Sequence, residues 1–240
     1  MTTKPHPLMR PPAFDAHIAI PRTRMLKKIL SALEVAGIAV EVDYFRKVVN
    51  LDRGTSTGPV MKFACSTPTG HDLQDPHAML TLKGNDYSVL LAAIKECLSI
   101  VSKYLSTDGQ TWHFNFELER FLSSRRLGLT TVDAVTDFPG YRQVHDAPLF
   151  ENHIGWHGDV LPGDAEIISR LVKLTGITPH QIVDFSLLPS SPVIDRVITY
   201  YQQELVATME FGEALRKARR QLGAAYVISE QVCFVGEPVK

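Results

Sequence analysis

Phe14-Asp15-Ala16-His17-Ile18-Ala19-Ile20 returns, altered, as Phe150-Glu151-Asn152-His153-Ile154-Gly155-Trp156. Both stretches read Phe, acid, any residue, His, Ile and a small residue, and each leads into a turn and an amphipathic pattern. In the first, Phe14, Ala16, Ile18 and Ile20 alternate with Asp15, His17 and Ala19, the period of a strand with one apolar and one polar face. Pro21 ends it. Met25, Ile29, Leu30, Leu33 and Ala36 then recur at helical spacing as far as Gly37, a residue suited to stop a helix.

Working outward, Ile38 to Val49 is dense in β-branched and aromatic residues and predicts a second strand. Residues 51–76 hold too many turn formers for continuous regular structure, with a short strand at Val60 to Cys65. His77 to Lys83 predicts a third strand. Gly84-Asn85-Asp86 supplies a turn and an N-cap for a long helix whose apolar stripe runs from Val89 to Leu105. Trp112 to Phe121 alternates Phe114, Phe116 and Leu118 with His113, Asn115, Glu117 and Glu119. The order is βαββαβ, that of a ferredoxin-like unit. Beyond Leu149 the pattern predicts a strand to His157, a helix from Asp164 to Gly176 and a strand from His180 to Leu188. A helix from Pro192 toward Leu222, broken near Gly212, and a closing strand from Ala225 to Val235 complete the reading, one strand short of the first half. The expected fold is α+β: a tail (1–12), a ferredoxin-like lobe (13–122), a connector (123–148) and a second ferredoxin-like lobe (149–240). Internal duplication would relate the two antiparallel sheets by a pseudo-twofold axis.

Composition restricts function. With 45% hydrophobic and 21% charged residues and a net charge of -1, the 240-residue chain reads as a soluble globular protein. The totals carry no drive toward nucleic acid or anionic lipid. The first residues lack a signal-peptide core and no apolar run is long enough to span a bilayer, so a cytoplasmic location is expected. Cys65, Cys97 and Cys233 form no CxxC pair, so neither a zinc knuckle nor a disulfide framework is suggested. Gly54-Thr55-Ser56-Thr57-Gly58 lacks the lysine of a phosphate loop. The basic run Arg216-Lys217-Ala218-Arg219-Arg220 suits a helix C-terminus.

Helices cover one face of such a sheet, leaving the other free for polar side chains. Parity assigns His17, His113, Asn115, Glu117 and Glu119 to the open face of the first lobe, and Glu151, His153 and His157 to that of the second. On the last strand either Ser229, Gln231 and Cys233 or Ile228, Glu230 and Val232 share it. Two polar faces packed about the axis would place His17 and His153 in one cleft, where an imidazole pair can give and take protons near neutral pH.

Two lobes that each donate a strand histidine to a shared cleft resemble the 2H phosphoesterase superfamily, which includes RNA ligase-like and cyclic nucleotide phosphodiesterase enzymes. The resemblance implies a metal-independent phosphodiesterase-type hydrolase, with one histidine as general base and the other as general acid. Here the motif positions read His17-Ile18-Ala19-Ile20 and His153-Ile154-Gly155-Trp156, so Ala19 and Gly155 stand where the family has hydroxyl residues. Face parity offers Thr81, Lys83, His113, His157 and Gln231 as ligand anchors instead. The expected partner is a small phosphorylated or nucleotide-like molecule, with no cofactor and no membrane; nucleic acid is disfavoured without being excluded, and the reading is compatible with a homo-oligomer. Two alternatives stand beside this reading. One is a non-catalytic small-molecule-binding or scaffold protein. The other is a metal-dependent enzyme in which His17, His113 and Glu117, with Asp15 and Glu119, hold a divalent ion.

Overall fold

The computed structural model describes residues 13–51, 65–66, 73–74, 76–105, 116–122, 142–143 and 149–236. In chain order the elements are β1 (Phe14–Pro21), α1 (Leu26–Val35), β2 (Glu41–Asn50), β3 (Cys65–Ser66), β4 (Leu73–Gln74), β5 (Pro76–Gly84), α2 (Tyr87–Leu105) and β6 (Phe116–Phe121). There follow β7 (Arg142–Gln143), β8 (Leu149–Gly158), α3 (Asp164–Thr175), β9 (Gln181–Ser186), β10 (Ile194–Gln202), α4 (Leu205–Leu222) and β11 (Tyr226–Gly236). None of the described helices is long and apolar enough to cross a membrane.

Local signals act as their chemistry dictates. Asp86 Oδ1 accepts from the backbone N–H groups of Ser88 at 3.0 Å and Val89 at 3.2 Å, capping α2. Gly176 follows α3 with φ +72°, a left-handed conformation that costs glycine little, and its N–H donates to Val172 O.

The strands correct the expected architecture. The order β6-β1-β5-β2-β9-β10-β8-β11 closes on itself, because β11 also pairs with β6. Two ladders decide this. Tyr44 to Asn50 of β2 pair with Ser186 to Gln181 of β9, and Phe116 to Phe121 of β6 pair with Val235 to Glu230 of β11. Eight antiparallel strands thus form a single closed β-barrel with the four helices of the described residues outside it, not two tandem ferredoxin-like lobes, and the α+β, duplicated description gives way to a barrel. The physical reason is edge satisfaction: separate sheets would leave four rows of unpaired backbone groups, and closure removes every one. β7 extends β11 at Val235 and Gly236, while β3 and β4 form a separate two-stranded ladder.

A second correction concerns Pro192 to Gln202. The predicted helix begins only at Leu205, and Ile194–Gln202 is the strand missing from the sequence reading, paired with both β8 and β9. Nor does α4 break at Gly212. A Cβ there would fall 2.3 Å from Ser229 Oγ and 2.5 Å from Asn152 Oδ1, so glycine lets the helix approach β8 and β11 closely. Below it, Ser229 Oγ donates to Asn152 Oδ1 at 2.6 Å and Asn152 Nδ2 donates to Thr208 O at 3.1 Å. Gly212→Ala is expected to cost about 1–3 kcal/mol through overpacking, measured as a lower urea midpoint; an unchanged midpoint would refute the close-approach argument.

The alternation sorts side chains into two compartments. Ala16, Ile18, Ile20, Leu80, Leu82, Phe116 and Leu118 face α1 and α2 in one outer core. Ile154, Trp156, Ile198 and Tyr200 meet α3 and α4 in another. The opposite face of every strand points into the barrel, where Met79, Val183 and Phe185 pack with Phe45 and Val197 along one side. An eight-stranded barrel is wide enough to hold one small ligand.

Candidate metal centre inside the barrel

The polar faces predicted from period-2 alternation converge on this interior. The cavity, about 540 Å³, is lined by Asp15, His17, Glu117 and Glu119 from β1 and β6, and by Glu151, His153 and Glu230 from β8 and β11. Met79, Val183, Phe185 and Val197 line it from β5, β9 and β10, Phe121, Ile228, Tyr201 and Tyr226 add further apolar surface, and Glu41, Asp43 and Asp195 line it as well. His17 and His153 therefore line one cavity, but as parts of a barrel wall rather than across a cleft between two sheets.

Each imidazole is held at both nitrogens in the same manner. His17 Nδ1 lies 2.9 Å from Thr81 Oγ1, its register partner on β5, and Nε2 lies 3.2 Å from Glu119 Oε2 and 3.7 Å from Asp15 Oδ2. His153 Nδ1 lies 2.9 Å from Thr199 Oγ1, its register partner on β10, and Nε2 lies 3.2 Å from Glu151 Oε1 and 3.3 Å from Glu230 Oε2. A threonine behind Nδ1 fixes the ring and leaves Nε2 to face the carboxylates. That is the outer support given to metal-ligating histidines.

The donor atoms form two overlapping sets, Asp15 with His17 and Glu119, and Glu119 with Glu151, His153 and Glu230. Within each set the atoms lie within 4.8 Å of one another. Asp15 Oδ1 is buried with no hydrogen-bond partner, and Glu151 Oε1 sits within ion-pair reach of His153 but without hydrogen-bond geometry. Buried carboxylate oxygens without donors are costly unless a cation or proton satisfies them.

The charge states show the strain. Burial raises Asp15 to about 7, aided by the charge of Glu119. Burial likewise raises Glu151 to about 7, against the pull of His153. Glu117 and Glu230 are driven well above the usual carboxylate range by burial and then by Glu119. Burial would also lift Glu119, but the neighbouring His17 outweighs it and holds Glu119 at about 2. For His17, burial lowers the pKa, yet Glu119 and Asp15 overcome it and bring the imidazole to about 10. His153 is raised well above its ordinary value in the same way, chiefly by Glu151. Without another cation, His17 is imidazolium at neutral pH, and His153 is shifted in the same direction.

The other expected anchors divide. Thr81 lines the cavity, but its hydroxyl supports His17. Lys83 lies at the cavity margin and is ion-paired with Glu41. His157 is exposed at the end of β8, where Nδ1 meets the Asp195 carboxylate; it is not beside His153. Gln231 is a correction: Glu230 and Ile228 point into the cavity, so Gln231 shares the outward parity of Ser229, which packs under α4. His113 lies outside the described residues. Gly155 leaves no room for a side chain, because Tyr226 Cζ lies 2.1 Å from where a Cβ would stand. Thr199 and Tyr201 were missed because β10 had been read as helix; the alternation of Val197, Thr199 and Tyr201 within a β-branched run was the available signal.

No protein-family model matches the chain, and no curated protein matches it. Among solved structures it is similar to the "Putative monooxygenase" of Fusobacterium nucleatum subsp. nucleatum, at 10% identity over 95% of this chain and 96% of that one, with a TM-score of 0.26.

Proposed function

We propose that the protein is a divalent-metal-dependent enzyme that encloses a small molecule in the barrel, with the metal held by strand histidines and carboxylates. The observation that carries this is the overlap of two His and carboxylate donor sets in one cavity, with Asp15 Oδ1 buried and unpartnered among them. Imidazole and carboxylate together suit zinc, manganese or iron rather than calcium. A bound ion acts as a Lewis acid and lowers the pKa of a coordinated water. Glu117, lining the cavity but outside both sets, would be a carboxyl group left free to hold or take a proton beside such an ion. The wall of Met79, Val183, Phe185 and Val197 favours a substrate with an apolar body and an oxygen donor directed at the ion.

The metal-independent phosphodiesterase reading has less support. A general base must be unprotonated, whereas His17 holds its proton to about 10. Eight carboxyl groups also line the cavity with the two rings, a field that opposes a phosphate unless a cation intervenes. The separating experiment strips the protein with a chelator, reloads it with zinc, manganese or ferrous ion, and assays cyclic and linear phosphodiesters beside carbonyl and ester substrates. Metal-restored turnover, lost in Glu117→Gln, is expected. Full phosphodiesterase activity in chelator, abolished by His17→Ala or His153→Ala, would reverse the assignment. Ligand binding without metal and without turnover would favour the non-catalytic alternative. Thr199→Val, which removes the hydroxyl behind His153, is expected to weaken metal binding by about 10–100-fold, read by competition with a chromophoric chelator; unchanged affinity would remove Thr199 from the site.

A further inference from the structure

We infer that the barrel holds two divalent ions, with Glu119 as the carboxylate shared between them; this rests on the metal reading above and adds number and arrangement to it. Glu119 is the one residue common to both donor sets. Its two oxygens can each serve one ion, the arrangement in which paired metals sit about 3.5–4 Å apart. The first ion would take Asp15 and His17 on the β1 side, the second Glu151, His153 and Glu230 on the β8 and β11 side. Each set carries its own histidine with a threonine behind Nδ1, so neither histidine is spare.

Charge and burial point the same way. Asp15, Glu117, Glu119, Glu151 and Glu230 are all at least nine-tenths buried, and the two imidazoles are neutral once they ligate. One divalent ion would offset at most two of those five buried negative charges; the cavity is also lined by the less buried Glu41, Asp43 and Asp195. Two would offset all but one of the five, and Glu117, outside both sets, can carry a proton. Asp15 Oδ1 is the second, independent sign. Asp15 belongs to the smaller set and its Oδ1 has no hydrogen-bond donor, so a single ion confined to the larger set would leave that carboxylate without a cation.

The test uses the full chain, stripped by chelation and titrated with manganous ion, with bound metal counted by equilibrium dialysis and elemental analysis and the ions examined by electron paramagnetic resonance. Two ions per chain with an exchange-coupled signal are expected. Two ions with independent signals would overturn the shared carboxylate, and one ion per chain would overturn the pair while leaving the single-metal enzyme intact. No bound ion would end the metal reading itself. Asp15→Asn is expected to bind one ion, with the uncoupled signal of isolated manganese. Glu119→Gln should lose the coupling and bind the remaining ion at least tenfold more weakly. A folded Asp15→Asn protein, judged by circular dichroism, that still takes two coupled ions would refute the assignment even if Glu119→Gln failed to fold.

Discussion

Asp184→Ala is expected to destabilise the protein by about 3–5 kcal/mol, the range for removing one partner of a buried ion pair. Asp184 lies on the outward face of β9 and accepts from Arg196 Nε at 2.7 Å and Nη2 at 2.8 Å. Arg196 Nη1 donates to Pro162 O at 2.6 Å and lies 3.2 Å from Asp164, at the start of α3. Lys47 of β2 donates to both oxygens of Asp164 at 2.7 and 2.8 Å and lies 3.5 Å from Asp184. The cluster thus ties β2, β9 and β10 to α3 on one side of the β2–β9 ladder that helps close the barrel. Without Asp184 a guanidinium whose side chain is 8% exposed keeps its burial but loses its bidentate partner. The loss should appear as a lower urea midpoint with an unchanged slope; a loss below about 1 kcal/mol would mean the cluster behaves as a surface pair.

Metal-free protein is expected to be most stable in mildly acid solution and to lose on the order of 4 kcal/mol toward pH 10. His17 titrates near 6.5 when unfolded and at about 10 when folded. Its ion pairs contribute fully below 6.5 and are lost as pH rises through the folded value. Asp15, raised from 3.8 to about 7, acts in the same direction over its own interval, because the folded state holds that proton longer. Glu119 is the opposite case. Held at about 2 against 4.5, it stabilises above 4.5 and that contribution disappears as pH falls toward 2. Divalent ions compete with protons for these ligands, so excess manganese should flatten or reverse the alkaline decline. Thermal melts across pH, in chelator and in manganese, check this; parallel curves would mean that the metal does not engage these groups.

Much of this site was legible because strand period is a local property. Asp15, His17, Glu117, Glu119, Glu151 and His153 were assigned to the correct faces by alternation alone, since their apolar neighbours had only the helices to meet. Glu230 was left undecided against Gln231, because β11 is polar on both parities and only the approach of α4 through Gly212 shows which side is covered. Pro192 misled more seriously. Taken as the first residue of a helix, it hid Ile194–Gln202, and with it Thr199 and Tyr201. Closure itself was not legible, because the pairing of Phe45 with Phe185, or Glu119 with Val232, depends on edges meeting across long chain separations. That difference also bears on the chemistry: an open cleft between two sheets suits an anionic substrate, whereas a barrel interior lined by buried carboxyl groups favours cations.

The seams of the ring have a practical corollary. Residues 13–122 and 149–236, produced as separate polypeptides, each bear two uncapped borders, those of β2 and β6 in one and of β9 and β11 in the other. Alone, each fragment is expected to aggregate through those borders; co-expressed, the pair should dock and co-purify as a nicked but complete barrel. Such a split protein would make metal uptake a reporter of reassembly, because Glu119 comes from one fragment and Glu151, His153 and Glu230 from the other.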